Sequence, residues 1–125
     1  MNLVLDAGAL IAVDRADRRI AGLILLGRRA GADVITTAPV VGQVWRHGSR
    51  QVRLAQFLAR VDVREVGLDD AKAAGALLGR AGSSDVVDAL VAMLTRPGDQ
   101  LLTSEPDDLA RLTGVRDGEV STVTV

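Results

Sequence analysis

Short aliphatic runs alternate along this chain with longer stretches of helical period, and no other feature restricts the fold as much. The pattern is that of a doubly wound α/β protein, in which near-continuous apolar strands pair in parallel under helices. Strands are predicted at residues 3–5, 33–36, 61–64, 100–103 and 120–125. Between them, residues 18–31 carry Ile20, Leu23, Ile24 and Leu26 on one stripe before a glycine stop. Pro39 marks the first position of the next helix. Residues 50–60 place Val52, Leu54, Ala55 and Leu58 inward, and residues 68–81 do the same with Leu68, Ala71, Ala74, Leu77 and Leu78. Ser84 caps a helix over 85–94 with Val87, Leu90, Val91 and Leu94 inward. A last helix runs from Pro106 to about Leu112, Gly114 ends it, and Asp117 with Gly118 turns the chain into the final strand. Because aromatics are only 2% of the chain, this core must be assembled from Ala, Val, Leu and Ile. At 125 residues, one domain spanning 1–125 is expected, with enough length to bury a core without cross-links.

Composition removes several chemistries. With no cysteine there is no disulfide, thiolate metal site or cysteine nucleophile. A single histidine, His47, leaves little material for a zinc site or a Ser-His-Asp triad. The net charge of -1 gives no global attraction to nucleic acid, so RNA or DNA would need a local basic patch. The chain opens straight into a strand, without a signal-peptide core or an apolar run that would span a bilayer, and a soluble cytoplasmic protein is expected, with no membrane partner.

Carboxylates remain as the chemically informative groups. Asp6 closes the first apolar run and Glu105 follows the fourth, so both emerge at carboxyl ends of strands, where open α/β sheets place their sites. Asp85 and Asp88 stand at the start of a helix that follows a Gly-Ser-Ser break. A cluster of carboxylates at that edge suits magnesium or manganese, hard cations that take oxygen ligands, and hence phosphodiester chemistry. Plainer roles compete: Asp6 is also suited to cap the helix beginning near Ala7, and Asp85 to sit against the positive end of its own helix. Asp88, one turn in and flanked by Val87 and Ala89, is harder to explain by capping. Asp107 and Asp108 fit the first turn of the last helix as partners of its dipole, with Asp108 also placed to support a metal site.

Four segments in order, Leu-Asp-Ala-Gly-Ala-Leu at 5–10, Val-Trp-Arg at 44–46, Asp-Val-Val-Asp-Ala-Leu at 85–90 and Leu-Thr-Ser-Glu-Pro-Asp-Asp-Leu at 102–109, resemble the PIN-domain family, and within it the VapC-type toxins of type II toxin-antitoxin pairs. The resemblance covers essentially the whole chain. It implies a three-layer α/β/α sandwich with a central, mostly parallel sheet, and a magnesium- or manganese-dependent ribonuclease. By position it assigns Asp6, Asp88 and Glu105 to catalysis and metal binding, with Gln43 beside them. Asp85, Thr103, Ser104 and Asp108 are placed to support that site, although a simple strand-end role suits Thr103 and Ser104 equally. The family usually has glutamate where Gln43 stands and aspartate where Glu105 stands, so this site resembles a weakened version of the family's. Arg46, Arg50 and Arg53, read as one helical flank beyond Gln43, are candidates for RNA contact, although a solvated face is the commoner outcome for such a flank. Trp45 fits the core or an interface better than a base-stacking platform, and His47 is not expected to be a ligand. The resemblance also implies a cognate VapB-like antitoxin, an RNA substrate and a homodimer. A PIN-like module that binds RNA or a protein without efficient cleavage is the rival reading, motivated by Gln43. Phosphorelay receivers and haloacid dehalogenase phosphatases fit less well, since Ala7 and Gly8 occupy the positions where each needs a second acid.

Overall fold

The structure is a computed structural model and describes residues 1–115 and 120–125. Its elements, in chain order, are β1 (Asn2–Leu5), α1 (Ala7–Asp14), α2 (Arg18–Arg29), β2 (Asp33–Thr37), α3 (Ala38–Val44), a 3-10 turn (Gly48–Arg50), α4 (Val52–Leu58), β3 (Asp62–Arg64), α5 (Leu68–Ala81), α6 (Val86–Leu94), β4 (Gln100–Thr103), α7 (Pro106–Val115) and β5 (Ser121–Thr124). All five predicted strands are present and every pairing is parallel, in the order β3-β2-β1-β4-β5. The expected turn at Asp117 and Gly118 lies outside the described residues.

The strand order explains the layering. From β1 through β2 to β3 the chain steps one way across the sheet, then returns past β1 to β4 and on to β5. Right-handed crossovers put helices of the outward and return paths on opposite faces. Accordingly α1 packs on α2, α3 and α4, while α6 packs on α5 and α7, giving a three-layer α/β/α sandwich. The central strands are covered on both sides: Leu3, Val4, Leu5, Val34, Ile35, Leu101 and Leu102 are all buried. The edge strands β3 and β5 are mostly exposed.

Local chemistry sets the ends of the helices. Asp17 caps α2 by accepting from the amides of Arg19 (2.8 Å) and Ile20 (3.3 Å). Gly31 (φ 88°) and Gly82 (φ 66°) take the left-handed conformations that end α2 and α5. The cap of α6 is Asp85 and not Ser84, its Oδ1 accepting from the amide of Asp88 at 3.0 Å. α7 runs past Gly114 to Val115, Gly114 not being among the described glycines with positive φ. Four of the stripe positions are exposed. Val52 (54%) and Leu68 (70%) each stand at the first position of their helix, where the turn has not yet reached the sheet, Ala71 lies one turn further along α5, and Leu26 (66%) lies on the outer side of α2. Trp45 is also exposed rather than in the core, lying at the end of α3 against Gly48.

Among the described residues no buried side-chain polar atom lacks a hydrogen-bond partner. Thr36 donates to the carbonyl of Leu5 at 2.8 Å, and Thr37 to that of Arg64 at 3.0 Å. Asp99 is buried at the amino end of β4, where its two oxygens accept from the amides of Asn2 (2.8 Å) and Arg96 (2.9 Å). It ties the first residue of β1 to the turn that enters β4. Charge-assisted bonds of this kind are worth ~1.5–3 kcal/mol each, and removing the acceptor leaves two amides without a protein partner. Asp99→Ala should therefore lower unfolding stability by about 3 kcal/mol, read from urea melts; a loss below about 0.5 kcal/mol would show that solvent replaces the carboxylate at no cost.

Candidate metal centre

The strand order reverses between β1 and β4, which makes their carboxyl ends the topological switch point of the sheet. β1 and β4 pair with Leu5 opposite Leu102, so Asp6 and Thr103 leave the sheet side by side. Asp6 is buried, at 5% exposure, and both of its oxygens are engaged. Oδ1 accepts from the amide of Ala9 at 3.0 Å, which makes Asp6 the cap of α1, and Oδ2 accepts from the hydroxyl of Thr103. The Thr103 oxygen in turn accepts from the amide of Glu105 at 2.8 Å. Thr103 thus links the acid after β1 to the turn after β4. The capping and site readings of Asp6 are compatible, since each carboxylate oxygen has a second lone pair.

Asp6 forms part of the lining of a cavity of about 350 Å³ together with Asp85, Asp88, Glu105, Ser104, Gln43 and Arg46. Ala7 and Gly8 complete that lining. Gly8 is there for space: a Cβ on it would stand 2.1 Å from Ser104 Oγ and 2.5 Å from Ser104 Cβ. The main chain at the start of α1 consequently packs directly against Ser104, in the turn after β4. Gly8 was absent from the site expected on sequence; the run of small residues after Asp6 was its only signal.

Three carboxylates offer oxygens within 4.8 Å of one another: Asp88, Glu105 and Asp108. This set differs from the expected trio of Asp6, Asp88 and Glu105. Asp6 is held back by Thr103 and Ala9, whereas Asp108 stands three residues beyond Glu105, the spacing that puts two side chains on one face of a helix. Among the described residues the sole ion pair is Arg64 with Asp62, so no basic nitrogen lies within 4 Å of any of these acids. The donor set fits a hard divalent cation. An octahedral magnesium ion with bonds of ~2.0–2.1 Å spans about 4.2 Å between opposite oxygens, so oxygens 4.8 Å apart reach it after a small contraction or through a water. Gln43 adds a carbonyl oxygen to the rim but no charge.

The arginines divide. Arg46 lines the cavity, and its guanidinium donates to the carbonyls of Gly42 (3.3 Å) and Trp45 (2.8 Å). Arg50 and Arg53 line a different cavity, with Asp14 and Gln56. The expected single helical flank does not form, because α3 ends at Val44, a separate 3-10 turn carries Arg50, and α4 starts only at Val52. His47 pairs with Ser49, its Nδ1 2.7 Å from the hydroxyl.

Electrostatics follow from this crowding. Burial pushes the Asp88 carboxyl up to about 7, and the charges of Asp85, Glu105, Asp6 and Asp108 push in the same direction. Burial also raises Asp6, opposed by its hydrogen bonds from Thr103 and Ala9. An acid that ionises near pH 7 when folded, but near ~3.9 when unfolded, keeps a proton in the native state that the unfolded chain has already lost. Stability from this group is therefore full below about pH 4 and is lost as pH rises to about 7. In chelator, the melting temperature should fall between pH 5 and 7.5, and Asp88→Asn should flatten that fall and exceed wild type at pH 8. Calorimetric scans that give the two proteins parallel pH profiles would contradict this account.

Comparison with protein-family models and with curated proteins gives no match. In structure the chain is similar to a chain of the VapBC2 complex from Rickettsia felis, a crystal structure bound to a DNA fragment from their promoter. The TM-score is 0.70 over 98% of this chain and 99% of that one, at 13% sequence identity. Likeness at that identity carries the fold alone: a PIN-like three-layer α/β/α sandwich, whose switch point here is lined by acids.

Proposed function

We propose that this chain is a metal-dependent endoribonuclease, the toxin of a VapBC-type pair, acting as a single domain in the cytoplasm. The observation that carries the reading is the convergence of Asp6, Asp85, Asp88 and Glu105 on one cavity, with no basic nitrogen of the described residues within 4 Å. So much unneutralised charge suits a dication better than a structural role, since structural carboxylates are ordinarily paired or dispersed. The neighbour's toxin-antitoxin assembly supports a VapB-like antitoxin as the partner, and a homodimer belongs to the same reading.

Asp88, Glu105 and Asp108 would hold magnesium or manganese, with Asp6 and Asp85 adding negative charge around it. When bound, the ion supplies Lewis acidity to the phosphodiester and to a water. The chain's own groups orient the reactants. Thr103 fixes Asp6, Asp85 fixes the first turn of α6 and with it Asp88, and Arg46 offers a cation to the RNA phosphate opposite the acids. Asp88, with a carboxyl that ionises near 7, can hold a proton at neutral pH when the cation is absent.

Purified protein free of its partner should cleave RNA only with magnesium or manganese. Asp88→Asn should slow cleavage about a hundredfold or more, which is ~2.7 kcal/mol of barrier. Cleavage at full rate in excess chelator, or in that variant, would remove the metal mechanism.

A second reading, a module that binds RNA or protein without efficient cleavage, is favoured by the one uncharged group at the rim where the family usually has an acid, Gln43. Gln43→Glu adds a charge next to the ion, and after like-charge repulsion the net gain should be roughly tenfold in metal affinity, or about 1.4 kcal/mol. The magnesium concentration for half-maximal cleavage should fall accordingly. No cleavage by either protein at saturating metal would favour the binding module, and an unchanged metal dependence would remove Gln43 from the site.

A further inference from the structure

Gln51 is buried between α3 and α4, and every hydrogen-bonding position of its carboxamide is used. Oε1 accepts from the amides of Arg46 (2.7 Å) and His47 (2.9 Å), and Nε2 donates to the carbonyl of Val44 (3.1 Å) and to Asp14 Oδ2 (3.3 Å). A side-chain amide has two donors and an acceptor oxygen with two lone pairs, so this one is saturated. It fastens the loop after α3 to the end of α1 at the place where Arg46 begins.

Arg46 is the one cation lining the carboxylate cavity, yet it is paired with none of the acids among the described residues. Two carbonyls hold its guanidinium instead, and a guanidinium has five N–H donors, so several remain for an anion. Had it folded onto the acids, it would neutralise the charge that a dication needs. The loop backbone therefore decides whether Arg46 reaches the cavity mouth or collapses inward, and Gln51 holds that backbone.

We infer that Gln51 is a positioning residue for RNA: through the amides of Arg46 and His47 it sets the loop that presents the Arg46 guanidinium to a backbone phosphate at the mouth of the acidic cavity. The inference rests on the reading of the chain as a ribonuclease. Arg46 touches the substrate and Gln51 acts through it.

The test measures binding of fluorescein-labelled single-stranded RNA of mixed sequence by anisotropy in magnesium, in an Asp88→Asn background that prevents cleavage, across a salt series. Each phosphate contact on a single strand contributes about 0.7 to the slope of log affinity against log salt. Arg46→Ala should weaken binding roughly fivefold to tenfold and lower the slope by about 0.7. Gln51→Ala should shift both quantities in the same direction, and the pair together should lose no more than Arg46→Ala alone. Gln51→Met keeps the length and packing of the side chain while removing its hydrogen bonds; it should lower the slope as Gln51→Ala does, and it guards against a Gln51→Ala protein that fails to fold. A Gln51→Ala protein that melts normally and keeps the full slope, while Arg46→Ala loses it, would overturn the role of Gln51. RNA binding absent in all the proteins would overturn the ribonuclease reading, and the inference with it.

Discussion

Backbone hydrogen bonds between β1 and β4 set Leu5 opposite Leu102, and the two strands therefore end together, one delivering Asp6 and the other Thr103. Had the pairing slipped by one residue, every side chain on one strand would have exchanged faces. The buried leucines on both sides of this pair make such a slip costly, so core packing fixes the separation of two polar groups that contribute nothing to the core. The crossover from β3 then carries α6 back over the sheet, and its first turn brings Asp88 to the same edge. Parallel pairing in this strand order is thus what gathers residues some eighty to a hundred positions apart in the chain.

Gathering acids has an electrostatic cost, which the fold offsets locally. Asp85 uses its carboxylate on the orphan amides of α6, Asp6 on those of α1, and each helix start is the positive end of a dipole. Asp88 caps no helix, and burial together with the neighbouring charges raises its carboxyl to about 7. The acids and Arg46, the cation among the described residues that lines their cavity, are also kept apart: carbonyls engage Arg46, and a hydroxyl engages Asp6. A site with both signs of charge that do not neutralise each other is suited to a ligand that itself contains both, such as a metal ion with a phosphate.

The strands were legible because each is a short aliphatic run bounded by turn residues, and a sheet buried on both faces leaves that trace in sequence. Asp6 and Glu105 were legible for a related reason, as the first charged groups beyond two such runs. What escaped depends on contacts between segments. Arg50 and Arg53 have helical spacing from Arg46, but Gln51 interrupts the helix by bonding back to the loop, and no local pattern announces that. Asp108 was legible as a partner of the helix dipole and as a supporting group, but not as one of the three acids that stand together, since only the approach of α6 to α7 brings Asp88 to it. Gly8 carries no side chain to read, and its importance lies wholly in Ser104, nearly a hundred residues away.

That last contact has a consequence for how such a site can change. Gly8 meets both the side chain and the backbone of Ser104, since a Cβ on it would lie 3.1 Å from the Ser104 amide nitrogen. On that side the cavity is accordingly bounded where the Gly8 main chain meets Ser104. Groups at the opposite rim, Gln43 among them, are exposed on short helices and bear none of this load. The dimensions of the opening and its charge are therefore under separate control: an amide can stand where an acid would, altering how strongly the mouth attracts a cation without altering what size of group can enter.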